Sequence, residues 1–368
     1  MISRDRPLAR RVAAVGLRFA APLAAAALVL SLLLALTGFD VVAALAALWR
    51  GAAGSPDAVL SATLVRATPL LLAGLGVAIA FRAGVFNIGA EGQLLAGATA
   101  ATVMALSTVG SWGSAGAVLG LLAGALAGAG WAWTPAWLKR RFGVLEVIST
   151  IMLNFVALHG VSYLVRGPLQ EPTRVYPQSP TLPEIARLPV LNEASRLHAG
   201  FVLAVALAIV GALTLRHSAA GFRLRAVGAN AAAAASAGRI DVATVQTRAF
   251  LASGALAGLA GGVEVLGVTF ALYENLSPGY GYTAIAVALL AGLRPSGVIL
   301  SSVLLGGLGA GASAMQRDAG VPAGAAAVTE AVLVLTLLAG HALVRNDATR
   351  TWRGAVARWR ARERGTLR

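Results

Sequence analysis

Apolar residues in this chain come in blocks separated by short polar intervals, and most blocks approach the ~20 residues that one helix needs to cross a bilayer. They are Phe19–Gly38, Val59–Ala80, Gly92–Thr108, Ser114–Trp137, Val144–Val165, His198–Leu215, Gln246–Thr269, Tyr280–Leu293, Ser296–Ala314 and Pro322–Val344. The pattern predicts an all-α, polytopic membrane protein of about ten spans, with residues 19–344 as one transmembrane domain. Gly92–Thr108 and Tyr280–Leu293 are short and interrupted by glycine, which predicts broken or re-entrant helices. The first block admits a rival reading as a signal peptide, but it exceeds the usual apolar core of ~7–15 residues and favours a retained helix. Phe39–Asp57 has the mixed pattern of an interfacial helix or loop.

Charge then orients the spans. Of the 30 basic residues, 22 fall in intervals that alternate with others holding only 6. The positive-inside rule therefore places both termini in the cytoplasm. That assigns residues 1–18 to a basic cytoplasmic N-terminus and residues 345–368 to a basic cytoplasmic tail. Trp352 and Trp359 would give the tail one amphipathic face if it were helical; a disordered, lipid-attracted tail is the alternative. Only 12% of the 368 residues are charged, against about 25% in soluble domains, and the net charge is +15. Because the basic residues flank apolar blocks, anionic lipid headgroups account for the excess and nucleic acid is not an expected partner. Cysteine is absent, and the four histidines show no metal-ligand spacing.

The interval 166–197 is the one long external loop. Its six prolines predict an extended, capped surface structure, which serves either as a landing surface for a partner or as a rigid cover. Glycine and alanine recur at four-residue spacing in Gly120–Gly128 and Gly254–Gly262, where small residues let helices approach closely in lipid. Val59–Val165 and Gln246–Val344 each contain four crossings of opposite starting side, which predicts inverted repeats about a midplane pathway.

Polar residues at membrane depth persist where protein or a water-filled path satisfies them. In Gly74–Gly97 these are Asn87, Glu91 and Gln93, set among Gly84, Gly89 and Gly92. They either border a substrate pathway and its gate or close a turn on their own backbone. In Glu146–Asn154, the residues Glu146, Thr150 and Asn154 share one helical stripe. Asn154 either hydrogen-bonds a solute in the pathway or joins two helices, and Glu146 can pair with Lys139–Arg141. Glu264 and Glu330 are further membrane carboxylates; Glu264 joins the candidate pathway, and the two together support an alternative, an ion-coupled secondary transporter. No nucleophile–base–metal set is evident, so no catalytic residue or metal site is assigned. The only lysine, Lys139, is followed by Arg140, so the chain lacks the GxxxxGK[ST] phosphate loop. Any ATP and magnesium would be bound by a partner.

The polar interval 216–245 holds Arg216, Arg223, Arg225 and Arg239 against Asp241. Within it Asn230 can cap a short helix that Gly238 ends. Gly221-Phe222-Arg223, Arg225 to Asn230 and Ala237 to Ile240 resemble the cytoplasmic coupling loop of importer permeases in the ATP-binding cassette superfamily. The resemblance is to the branch handling nucleosides and simple sugars. Phe86 to Gln93 and Glu146 to Asn154 resemble the same branch, and the likeness spans roughly Leu60 to Ala339. It implies a permease subunit of an ATP-driven importer in the bacterial cytoplasmic membrane. It also implies a cytoplasmic ATPase, a second homologous permease and an extracytoplasmic substrate-binding lipoprotein as partners. The expected coupling residues are Gly221, Arg223, Arg225, Gly228, Asn230, Ala234 and Gly238.

Overall fold

The computed structural model describes residues 24–238 and 240–345. The basic N-terminal segment, the first residues of the first span, Arg239 and the basic tail beyond Arg345 lie outside the described residues. The chain divides into two compact units, residues 46–314 and a smaller unit of residues 1–45 with 315–368.

The helices are α1 (Ala24–Leu36), α2 (Val41–Ala53), α3 (Ala58–Arg82), α4 (Ala90–Leu106), α5 (Ser114–Phe142), α6 (Glu146–Val165), α7 (Ala199–His217), α8 (Ala219–Ala229), α9 (Ala231–Gly238), α10 (Val242–Thr269), α11 (Tyr280–Leu290), α12 (Pro295–Asp318) and α13 (Ala323–Arg345). Among them α3, α5, α6, α7, α10 and α12 are long and apolar enough to cross a membrane. The protein is an all-helical, multi-pass membrane protein. In the smaller unit, Ala26, Leu30 and Leu34 form the buried stripe of α1 at four-residue spacing. Glu330 falls on α13, and its side chain is outside the described part.

In the larger unit α10 is central and packs on α3, α4 and α5. Glycine permits this crossing. A Cβ on Gly258 would stand 2.2 Å from the carbonyl oxygen of Gly124, and one on Gly128 would stand 2.2 Å from that of Gly254. The two small-residue runs seen in the sequence are therefore each other's partners, with backbone on backbone. The polar interval after α7 holds a helix that the sequence pattern did not reveal. Ser218 ends α7, and its hydroxyl accepts the Gly221 N–H at 3.0 Å to start α8.

α10 closes in a π-helical turn, Val265–Thr269, and Phe270 then adopts φ +55°. The proline-rich loop lies along this end. Ser179, Leu182 and Leu188 donate their N–H groups to the carbonyls of Leu272, Phe270 and Leu266 at 2.7, 2.8 and 2.9 Å. Extended backbone of this kind needs an external edge to satisfy its donors, and the end of α10 supplies it. Arg66 of α3 donates to the Gly309 carbonyl of α12 at 2.6 Å.

Candidate functional site

The break between α3 and α4 is held by side chains from two other helices, α6 and α10. Asn87 is fully buried. Its amide nitrogen donates to Gln93 Oε1 at 2.8 Å and to Ser253 Oγ of α10 at 2.9 Å. Its oxygen accepts from the Gly89 N–H at 2.9 Å and from Gln93 Nε2 at 3.1 Å. Both polar atoms of the Asn87 side chain are thus occupied, and the turn is tied to the middle of α10.

Asn154 of α6 acts on the same segment. Its oxygen accepts the Gly92 N–H at 2.8 Å, one of the N-terminal amides of α4 that no residue of its own helix can satisfy. Its nitrogen donates to the Ile88 carbonyl at 2.9 Å and to the Tyr282 hydroxyl at 3.3 Å. A side chain on one helix therefore caps another. Thr150, one turn earlier, donates to the Glu146 carbonyl at 2.7 Å and packs against Gly89. Glu146 pairs with Lys139 at 2.8 Å, the interfacial role open to it from the sequence.

Glu91 repeats the arrangement at the start of α11. Its Oε2 accepts the Gly281 N–H in the first turn of α11 at 2.7 Å, with Ser277 also hydrogen-bonded to the carboxylate. The first turns of α4 and α11 touch there, because a Cβ on Gly281 would lie 2.2 Å from the Glu91 nitrogen. Two helix N-termini, each with partial positive charge, meet around one carboxylate. Asn87, Glu91, Gln93, Thr150 and Asn154 are thereby brought into one network. Glu264 is not part of it. It lies eleven residues beyond Ser253 on α10, about 16 Å along the axis. It is 4% exposed, Arg66 and Arg196 are the cations acting on it, and among the described residues Oε2 has no hydrogen-bond partner.

The interval 216–245 folds as two helices. Asn230 caps α9 by accepting the Ala233 N–H at 3.0 Å, as its position in the sequence predicts. Gly238 is the last residue of α9, and Gly221 is buried where α8 turns off α7. Arg223 is exposed and Arg225 half-buried on α8. Ala234 is buried against the rest of the chain, so the exposed face of α9 is Ala232, Ala233, Ala235 and Ser236. Gly228 seats α8 on the end of α3: a Cβ there would be 1.9 Å from the Arg82 carbonyl oxygen. Beneath lies an apolar cluster of Ala83, Val85, Ala132, Ala136, Ala249 and Phe250, with Leu224 of α8 packed on it. α10 begins at Asp241, whose carboxylate accepts the Thr244 N–H at 3.0 Å; hydrogen bonds from Thr244 hold its pKa below the usual range.

Beside the proline-rich loop, Glu274 accepts two hydrogen bonds from the Arg166 guanidinium, at 2.6 and 2.8 Å, and one from Ser162. This clasp joins the end of α6 to the segment before α11 and pushes the Glu274 carboxyl down to about 2.

Residues 59–339 match the model of the family described as branched-chain amino acid transport system / permease component. The chain belongs to this permease family. It is 39% identical over 320 residues to the guanosine ABC transporter permease protein NupP of Bacillus subtilis, covering 85% of this chain and 90% of that protein. It is 38% identical over 321 residues to the glucose ABC transporter permease protein TsgB13 of Haloferax volcanii, covering 82% and 84%. It is 30% identical over 281 residues to the nucleoside ABC transporter permease protein NupB of Lactococcus lactis, covering 74% and 77%. No solved structure matches.

This permease is therefore a membrane subunit of the ABC transporter type. The assignment gives no support to an ion-coupled mechanism through Glu264 and Glu330. Several partners in its network carried no sequence signal of their own: Ser253, Tyr282, Arg82 and Gly281 all meet groups more than a hundred residues away or on another helix. The run Ser277-Pro278-Gly279-Tyr280-Gly281-Tyr282, a turn ending in two glycines just before a short apolar block, was the available hint.

Proposed function

We propose that this permease is one membrane subunit of an ATP-driven importer whose substrate is a nucleoside, with simple sugars as the second reading. The observation that carries the substrate class is the 39% identity to a guanosine permease across nearly the whole of both chains. The 38% identity to a glucose permease keeps the sugar reading in place. The partners would be a cytoplasmic ATPase that binds ATP and magnesium, an extracytoplasmic substrate-binding lipoprotein and a second permease. Paired relatives support a heterodimer: Bacillus subtilis NupP and NupQ, and Lactococcus lactis NupB and NupC, are all similar to this chain. The location would be a bacterial cytoplasmic membrane, with ten spans, both termini inside and residues 216–245 facing the ATPase.

In this reading the exposed face of α9 docks on the ATPase, a helix-in-groove contact. Motion of α9 passes to α8, and through the Gly228–Arg82 contact to the break between α3 and α4. From there Glu91 transmits it to α11, so α4 and α11 move together and the inverted halves rock. Asn87, Gln93, Thr150 and Asn154 hold the gate in one arrangement, and Glu264 lines the outer part of the path.

The test is uptake of radiolabelled guanosine and of glucose in cells lacking their own carriers and expressing the chain with its partner subunits. Guanosine uptake that unlabelled glucose does not reduce supports the first reading, and the converse supports the second. Uptake of neither sinks the substrate assignment.

A further inference from the structure

A second group of arginines stands at the same end of the bundle as the coupling loop. Arg82 ends α3, Arg225 projects from α8, and Arg294 sits in the turn between α11 and α12. Arg225 and Arg294 are the two cations whose repulsion reaches Arg82. Among the described residues none of the three has a carboxylate within ion-pair distance.

The turn that carries Arg294 is tightly built. The Leu293 N–H donates to the Ala288 carbonyl and the Gly292 N–H to that of Leu289, both at 2.9 Å, the paired bonds of a Schellman end. Gly292 and Leu293 have φ of +60° and +59°, and Leu293 pays a strain there that a glycine would not. The Arg82 guanidinium donates to the Leu293 carbonyl at 2.9 Å and so fixes the turn to α3. α12 starts at Pro295, and the Arg294 carbonyl accepts the Val298 N–H at 3.0 Å. Arg294 is thus the N-cap of α12, where the helix dipole disfavours a cation. Its side chain is exposed. Inside the chain, a guanidinium at a helix N-terminus beside two like charges gains nothing in stability. A carboxylate from outside would compensate all three.

We propose that Arg294, together with Arg82 and Arg225, is a second docking point, taking carboxylates on the surface of the ATP-hydrolysing partner. This rests on the reading of α9 as the first docking point. The ATPase would then hold α9 and the α11–α12 turn at once. Its movement would reach α11 directly from below, as well as through α8, α3 and Glu91. Charge complementarity of this kind fixes register and slows dissociation.

The chain has no cysteine, so Arg294→Cys and Ala235→Cys each introduce a single thiol. Both are made in the full chain, assembled with its partner subunits, and reacted with benzophenone maleimide with and without ATP. Photolysis is expected to join both positions to the ATPase. Retention of ATPase on the affinity-purified chain is expected to fall about 3-fold in Arg294→Gln and about 10-fold or more in Arg294→Glu, at equal membrane insertion. If Ala235→Cys reaches the ATPase while Arg294→Cys reaches only lipid or its own chain, the inference is overturned and the first docking point stands. Cross-linking at both positions with full retention in Arg294→Gln and Arg294→Glu overturns the charge claim. If neither position reaches the ATPase, the docking reading itself fails and the inference with it.

Discussion

At single residues, the permease spends polar side chains on backbone groups of neighbouring helices. Asn154 is the sharpest case, since it satisfies Gly92 and Ile88 together. Asn154→Leu leaves a buried N–H and a buried carbonyl unmet, at about 1–3 kcal/mol each. Asn154→Asp keeps the acceptor for Gly92 and loses the donor. Thermal unfolding in detergent should therefore order the three as Asn, Asp, Leu, from most to least stable; equal midpoints would contradict the capping role. Gly228→Ala tests a different contact. The Cβ would meet the Arg82 carbonyl, a backbone atom that cannot rotate aside, and overpacking of this sort costs about 1–3 kcal/mol. Uptake should fall sharply while insertion is unchanged, and normal uptake would remove the α8–α3 contact from the transmission path. Asn87, Glu91, Gln93 and Asn154 were legible in the sequence because an amide or carboxylate amid apolar residues must find a partner. Those partners were not legible, since pairing of Asn87 with Ser253 or Asn154 with Tyr282 leaves no local pattern.

Among elements, block length predicted the long helices. Internal glycine predicted breaks in α4 and α11, but each runs uninterrupted, over Ala90–Leu106 and Tyr280–Leu290; Gly92 and Gly281 sit in first turns, where they permit close contact rather than a break. α8 was hidden because its sequence mixes glycine and arginine, and it is held by Ser218 and the α3 end rather than by its own periodicity. The joint between α4 and α11 is open to direct test. Glu91→Gln retains an acceptor for the Gly281 N–H, whereas Glu91→Leu leaves that amide buried without one. The first should preserve much of the uptake and the second should abolish it; equal loss would mean that charge, not capping, is what the joint needs. The Arg166–Glu274 clasp gives a pH prediction. Glu274 is held near 2, below its ordinary value of about 4.3, so the clasp is fully formed above that value and is lost as pH falls through about 2. Hydrogen exchange in residues 270–279, corrected for intrinsic rate, should be flat from pH 8 to pH 5. In Arg166→Gln the carboxyl should titrate near its ordinary value and exchange should rise as pH approaches it. A pH-dependent rise across the neutral range in the unaltered chain would contradict the pairing.

For the whole molecule, the sequence supplied the membrane class and the count of apolar blocks, while the packing order around α10 emerged only from the glycine contacts that let backbones touch. Orientation rests on charge asymmetry, and one helix makes it testable. α7, Ala199–His217, separates the proline-rich loop from the coupling helices; its 19 residues span about 28 Å, close to the ~30 Å of a hydrocarbon core. One crossing of that length puts Val175 and Ala235 on opposite faces. Val175 is 69% exposed in the loop and Ala235 is exposed on α9, and the cysteine-free background makes each substitution the sole thiol. In intact cells a membrane-impermeant maleimide should label Val175→Cys at once and Ala235→Cys only after permeabilisation. The reverse pattern would put α9 and Arg294 outside, where no ATPase can reach them. Labelling of both in intact cells would mean that α7 does not cross, and the ten-span arrangement would have to be redrawn around it.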